Sequence, residues 1–237
     1  MKGAGKAGTS VPGNPNLSVL ALLVQESFYK VLAAVGILMA LECVNFRLSP
    51  LFFLAALGAV FLILCVMEGE PRDVRSHYTW RRLRVTPKRL FLLKTFFNAL
   101  CFLLPFAAQA GMGIWFCHRY SQQIPPESQS PQLLFLTFYR WEFLHCVLPM
   151  AEVMKWIRNL LLVLALSMTA AADISVIPRR NMGIARAILY IMTVCWFITP
   201  IGIQIADIGL CIACTVVCAA VTCKMGGYGR KSEAKRS

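Results

Sequence analysis

"TFFNALCFLLPFAAQAGMGIWFC", residues 95–117, contains no charged side chain over its whole length. A helix needs about 20 predominantly apolar residues to cross the hydrocarbon core of a bilayer, so this stretch predicts a membrane-spanning helix. Residues 48–67 and 187–206 also lack charged side chains and are long enough to cross. We therefore expect an all-α, polytopic integral membrane protein.

The composition of the whole chain agrees with a bilayer environment. Of 237 residues, 58% are hydrophobic and 15% are charged, and the mean hydropathy is +0.63, whereas soluble domains usually contain about 25% charged residues. A net charge of +13 is also found in nucleic-acid binders, but those proteins display basic residues on a water-soluble domain. Here the basic residues separate apolar runs, so we expect no nucleic-acid partner.

About six helices are expected to cross the membrane. A long helix that begins at the interface near Leu17 leads into the first span, and Pro200 with Gly202 divides the last apolar region into two spans. In the fourth span, "NLLLVLALSMTAA" follows Lys155 and Arg158, whose long side chains can reach the interface. The expected spans are residues 28–46, 48–67, 90–117, 153–176, 187–204 and 206–223, inside a transmembrane domain (17–224) between a flexible tail (1–16) and a basic tail (225–237).

The distribution of Lys and Arg predicts the orientation in the membrane. With six spans, 18 of the 24 basic residues fall on the side of the two termini, and Lys30 lies in the first helix. Cytoplasmic loops carry an excess of Lys and Arg, so both termini are expected in the cytoplasm and the protein in the plasma membrane. The opposite side has Arg47, Arg119, Arg140, Lys155 and Arg158.

The loop between spans two and three is the most basic segment. "RSHYTWRRLRVTPKRLFLLK", residues 75–94, has seven basic side chains and no acidic one. Thr86 followed by Pro87 is typical of a helix start, which places the beginning of the third span there. The aromatic residues before it favour a short helix at the headgroup layer, which either binds anionic lipid or docks a cytoplasmic protein.

Two segments carry a resemblance to a known family. "LLVQESFYKVLAAVGILMAL" and "YTWRRLRVTPKRLFLLKTFFN" resemble the membrane subunits of type 2 ABC exporter permeases. The resemblance implies a separate ATPase on the cytoplasmic side, which rests on the loop at residues 72–94, and a second membrane subunit as homodimer or heterodimer partner. The coupling residues that it implies are Tyr78, Trp80, Arg81, Arg82, Arg84, Lys88 and Arg89.

The chain departs from that family in its last connector. "TPIGIQIAD" joins spans five and six, where the family usually has a pair of short re-entrant helices. The bulkiest external segment follows span three instead, and residues 131–150 are either re-entrant or interfacial. The alternative is a non-transporting membrane scaffold or regulator that binds lipid or a cytosolic partner through the same basic loop.

Acidic residues near membrane depth are the polar candidates, because an ionisable group in that position needs a partner, a cavity or protonation. Glu152 is expected to pair with Lys155 three residues later. Asp173 is expected to pair with Arg179 and Arg180. Asp207 is expected to cap the last helix. The candidates are Glu42, Glu152, Asp173 and Asp207.

We expect no catalytic, cofactor or metal site in the chain itself, so that ATP hydrolysis would belong to a partner subunit. The sequence contains no nucleotide-binding domain and no metalloprotease or nucleophile motif. Cys211, Cys214 and Cys218 recur at helical spacing, which fits close helix packing better than a site for a soft metal. The three histidines lie on different segments: His77, His118 and His145.

Overall fold

The computed structural model describes residues 15–45, 49–69, 86–122, 132, 142–149, 152–172, 179–198 and 204–234. Within these ranges all regular secondary structure is helical, which confirms the predicted all-α class. The helices are α1 (Pro15–Leu23), a π-helical segment (Val24–Phe28), α2 (Tyr29–Asn45), α3 (Pro50–Gly69), α4 (Pro87–Ser121), α5 (Glu142–Val147), α6 (Val153–Ala171), α7 (Arg179–Ile198) and α8 (Gln204–Ala234).

The first described residues form the predicted long helix. The residues that flank the π-helical segment, Leu23 and Tyr29, have right-handed helical backbone angles, so α1, this segment and α2 run on from one another. A π-helical turn contains one extra residue and shifts the faces of the helix on either side of it. Residues 1–14 of the predicted flexible tail (1–16) lie outside the described part of the chain, and its last two residues begin α1.

Helix α4 is the longest element that the structure describes. Thr86 is extended, at φ −68° and ψ 145°, and Pro87 is the first helical residue, which confirms the predicted start. Its 35 residues span about 52 Å at the usual helical rise. Pro105 lies inside the helix and, having no N–H, leaves the carbonyl of Cys101 without its helical donor.

Helix α6 is the centre of the bundle. It packs most extensively against α8 and α4, and also contacts α7 and α3. From Leu162 onward most of its residues are buried, including Ala165, Ser167 and Ala170. Small residues allow helices to approach one another closely, which explains how α6 can contact neighbours on several sides.

Aromatic side chains join four helices beside α6. The ring of Phe53 on α3 lies 4.9 Å from the ring of Phe106 on α4 and 4.9 Å from that of Phe197 on α7. Phe143 on α5 is 5.7 Å from the same Phe53 ring. Edge contacts of this kind add about 0.5–1.5 kcal/mol beyond the buried area, so this cluster fixes the positions of α3, α4, α5 and α7.

The last helix extends into the segment predicted as a basic tail. Helix α8 continues to Ala234, so much of the segment predicted as a basic tail (225–237) is helical. Arg230, Lys231 and Ala234 are good helix formers, whereas Gly226, Gly227 and Gly229 each cost about 1 kcal/mol relative to Ala in a helix. Residues 235–237 lie outside the described part of the chain.

Three described helices are long and apolar enough to cross a membrane: Lys88–Tyr120, Val153–Ala171 and Asp207–Lys224. A shorter apolar helix covers Pro50–Cys65. Apolar side chains also face outward, as Ile208, Ile212 and Val216 do on α8. Their four-residue spacing forms one exposed stripe, which is the arrangement that a lipid environment favours. By length and composition these helices indicate a membrane protein, while six crossings stay a prediction.

Candidate functional site

One arginine is enclosed among the helices. Arg158 lies in the second turn of α6 and is 2% exposed. Its Nη1 donates to Oδ1 of Asp207 at 2.8 Å, and its Nε and Nη2 donate to Oδ1 of Asn159 at 3.1 and 2.9 Å. A buried charge is tolerated only with a partner and with its remaining polar atoms hydrogen-bonded. Arg158 meets both conditions.

Asp207 is the acidic partner in this pair. It lies in the first turn of α8 and is 6% exposed. The sequence predicted that Asp207 caps this helix, and that Arg158 reaches the interface; both predictions are wrong. Arg158 and Asp207 both lie in apolar surroundings, where either charge alone would lose its hydration without a compensating interaction. Pairing the two charges lowers this desolvation cost.

The ion pair also holds the short helix α5. Nη2 of Arg158 donates to the carbonyl of Cys146 at 3.2 Å, and the amide of Asn159 donates to the same carbonyl at 2.9 Å. The last carbonyls of a helix have no partner inside the helix, so these two side chains supply the missing donors. The guanidinium also lies 5.9 Å from the ring of Phe197. We call Arg158, Asp207 and Asn159 the arginine cluster.

The arginine cluster has a structural role, because its hydrogen bonds hold three helices together. It joins α5, α6 and α8 through hydrogen bonds of 2.8–3.2 Å between buried atoms. Any ligand for the guanidinium would have to displace Asp207 from it. The arrangement therefore stabilises one packing of these helices, and a change in that packing requires the ion pair to separate.

A second polar pair connects α2 to α4. Glu42 and Gln109 are both fully buried. Nε2 of Gln109 donates to Oε1 of Glu42 at 2.9 Å, and the backbone N–H of Ser49 donates to the same oxygen at 3.0 Å. Met112 lies one turn beyond Gln109 on α4, and its thioether sulfur is 3.5 Å from the thiol of Cys43 on α2. We call Glu42 and Gln109 the acid–amide pair.

The remaining predicted site residues are distributed as follows. Glu152 is exposed and accepts a hydrogen bond from Nζ of Lys155 at 2.9 Å, which confirms the predicted pair. Lys88 and Arg89 are exposed in the first turn of α4. The other members of the predicted coupling loop, and one acidic candidate, lie outside the described residues: Tyr78, Trp80, Arg81, Arg82, Arg84 and Asp173.

Three residues of these sites are not identified by the sequence pattern, and Asn159 of the arginine cluster is one of them. Gln109 is a large polar side chain in the middle of a charge-free span, and that position is the feature of the sequence that indicates a buried polar contact. Arg158 was assigned to the interface because it lies near the beginning of its span. Each has a partner far away in the sequence, 67 residues for Gln109 and 49 for Arg158.

Within the described ranges no three His, Cys, Asp or Glu side chains come together in a way that could hold a metal ion. Of the four cysteines on α8, Cys214 is buried and packs in the main core, Cys211 and Cys218 are partly buried, and Cys223 is exposed. Comparisons with protein-family models, with curated proteins and with solved structures find no match to this chain.

Proposed function

We propose that the chain is a permease-like transmembrane subunit of an ABC-type exporter, coupled through the basic loop at residues 72–94 to a separate cytoplasmic ATPase. In this proposal it crosses the plasma membrane six times, with both termini in the cytoplasm, and a second membrane subunit completes the transport pathway. The observation that supports it most is α4, a helix that connects the basic loop directly to the buried acid–amide pair.

The length of α4 is sufficient to connect the cytoplasmic loop to the interior of the bundle. About 30 Å suffices to cross the hydrocarbon core, so a helix of about 52 Å extends well beyond the apolar layer. Lys88 and Arg89 are exposed at the end nearest the loop, and α4 packs along the central helix α6. A displacement of the loop would therefore be passed along α4 to the interior of the bundle.

The mechanism follows from these connections. Nucleotide-driven motion of the ATPase pushes the segment around Trp80 and Arg84, and α4 carries the push to Gln109 and to α6. The arginine cluster holds α6 to α5 and α8, so these helices either move together or separate at the ion pair. The outward apolar face of α8 provides a contact for lipid or for the second membrane subunit.

The experiment is a pull-down of the full chain in mild detergent, followed by an ATPase assay on the purified material. We expect a nucleotide hydrolase to accompany the wild-type chain, and Arg81→Glu with Arg82→Glu to lose it while still inserting into the membrane. Lys231→Glu with Lys235→Glu is the matched control, since it reverses two charges in the last ten residues of the chain and leaves the loop intact.

Two results would overturn the proposal. One is a wild-type chain that brings down no hydrolase; the other is a loop variant that retains both hydrolase and export. Reagents applied from outside the cell that label the loop at residues 72–94 would reverse the predicted orientation and contradict the proposal as well.

The second candidate is a scaffold or regulator that does not transport. The arginine cluster favours it, because the hydrogen bonds from Arg158 to Asp207, and from Arg158 and Asn159 to the carbonyl of Cys146, connect one helix of the chain to another. In that case the same pull-down yields a partner without nucleotide hydrolysis, or the basic loop binds vesicles that contain anionic lipid. Either result, in the absence of a hydrolase, would support the scaffold or regulator and contradict the permease subunit.

A further inference from the structure

The acid–amide pair contains two buried oxygens with no hydrogen bond. In the described part of the chain, Oε1 of Glu42 accepts from both Ser49 and Gln109, while Oε2 of Glu42 and Oε1 of Gln109 have no partner. Both side chains are fully buried. Buried polar atoms are nearly always paired, so this pattern calls for an explanation.

A carboxylate explains the pattern poorly. An ionised Glu42 has two equivalent oxygens that accept hydrogen bonds, and among the described residues it would leave one of them without a donor. A carboxylic acid has one carbonyl oxygen, which accepts, and one hydroxyl, which donates. The oxygen with two donors matches the carbonyl, and the oxygen with none matches the hydroxyl.

We propose that Glu42 binds a proton in the folded protein, and that the resulting neutral acid forms a ring of two hydrogen bonds with the amide of Gln109. In this ring Nε2 of Gln109 donates to Oε1 of Glu42, as observed at 2.9 Å, and the hydroxyl at Oε2 of Glu42 donates to Oε1 of Gln109. A single proton therefore satisfies both unpaired atoms. The proposal does not depend on the transport function.

The surroundings of Glu42 agree with a neutral acid. Its two hydrogen-bond partners, the Ser49 backbone on the α3 side and the Gln109 amide on α4, are uncharged. The nearest titratable side chain on its own helix, Cys43, contacts the uncharged thioether of Met112. A metal cation would need more ligands, since hard cations take about six to eight oxygens and only two are unpaired here.

The competing explanation is a salt bridge. Arg47 follows Glu42 by five residues and lies outside the described part of the chain. A guanidinium that paired with Oε2 would keep Glu42 ionised, so the test must separate a proton from Arg47.

The experiment is infrared spectroscopy of the full chain in detergent at neutral pH, with glutamate labelled by carbon-13. We expect the carbonyl band of a protonated carboxyl group, which shifts on labelling and disappears in Glu42→Gln. Glu152→Gln, the matched change at an exposed carboxylate, keeps the band. Arg47→Gln also keeps it unchanged.

Stability provides the second measurement. A folded protein that holds a proton which the unfolded chain releases becomes less stable as the pH rises. We expect the fraction of wild-type protein that stays monodisperse after heating to fall from mildly acidic to mildly alkaline pH. Glu42→Gln, whose amide can replace the acid in the ring, matches the wild type at the acidic end and loses this Glu42-dependent fall.

Three results would overturn the proposal: no protonated band in the wild type, a band that persists in Glu42→Gln, or a band that becomes visible only in Arg47→Gln. The last result would identify a salt bridge. If Glu42→Gln does not fold, the isotope shift in the wild type and the spectrum of Arg47→Gln still decide the matter.

Discussion

Arg158 on α6 and Glu42 on α2 are both enclosed by helices, yet their partners differ in kind. Arg158 faces the carboxylate of Asp207 at 2.8 Å and has further acceptors in Asn159 and in the carbonyl of Cys146. Glu42 has an amide and a backbone N–H, and no charged group among its described contacts. The comparison teaches that a bundle of apolar helices can accommodate an ionisable group in two ways, by pairing the charge or by removing it.

The largest effect is expected from removing one member of the charged pair. Asp207→Ala leaves Arg158 buried without its counter-charge, which costs roughly 3–5 kcal/mol of the free energy of unfolding. We expect most of the variant to aggregate when extracted in detergent, as measured by size-exclusion chromatography after heating.

The control for that prediction is the double change Arg158→Met with Asp207→Leu. Replacing both members of a buried ion pair by apolar residues is often neutral or stabilising, so we expect the double variant to recover much of the loss. A double variant as unstable as Asp207→Ala alone would contradict the charge argument and assign the loss to packing.

A smaller effect is expected in the neutral pair. Gln109→Leu removes the amide that donates to Glu42 and leaves the acid with Ser49 alone, at a cost of about 1–3 kcal/mol. The same heating experiment measures it. Gln122→Leu makes the same change at an exposed position just after α4 and is expected to stay within about 0.5 kcal/mol of the wild type. Equal losses in the two variants would show that burial of Gln109 has no special role.

The smallest effect is expected from the exposed ion pair. Glu152 and Lys155 are 2.9 Å apart, nearly the separation of Arg158 and Asp207, but the side chain of Glu152 is 59% exposed. Solvent screens such a pair, so Glu152→Ala should change the free energy of unfolding by about 0–1 kcal/mol. A loss as large as that of Asp207→Ala would mean that the two pairs do not differ through burial.

Local features of the sequence predicted local features of the structure. The Thr86–Pro87 start of α4, the beginning of α6 at Val153 and the pair between Glu152 and Lys155 each depend on residues within one or two helical turns. Such neighbours meet in any helix, whatever the rest of the chain does.

The candidate sites depend on distant residues instead. Periodicity shows that Arg158 and Asp207 are in apolar surroundings, but it does not show which helices are adjacent, so the pair and its connection to α5 emerged only from the structure. The contact of Gln109 was not predictable either, because its partner Glu42 lies on another helix. The rule that intramembrane charges need partners could have suggested Arg158 with Asp207, since both fall next to apolar spans.

Pro105 gives α4 a further property. The proline removes one backbone hydrogen bond between the half of α4 that carries Lys88 and the half that carries Gln109, and helices bend most readily where such a hydrogen bond is missing. We therefore expect α4 to bend at residue 105 more easily than elsewhere, so that a displacement of its basic end would tilt one half of the helix relative to the other.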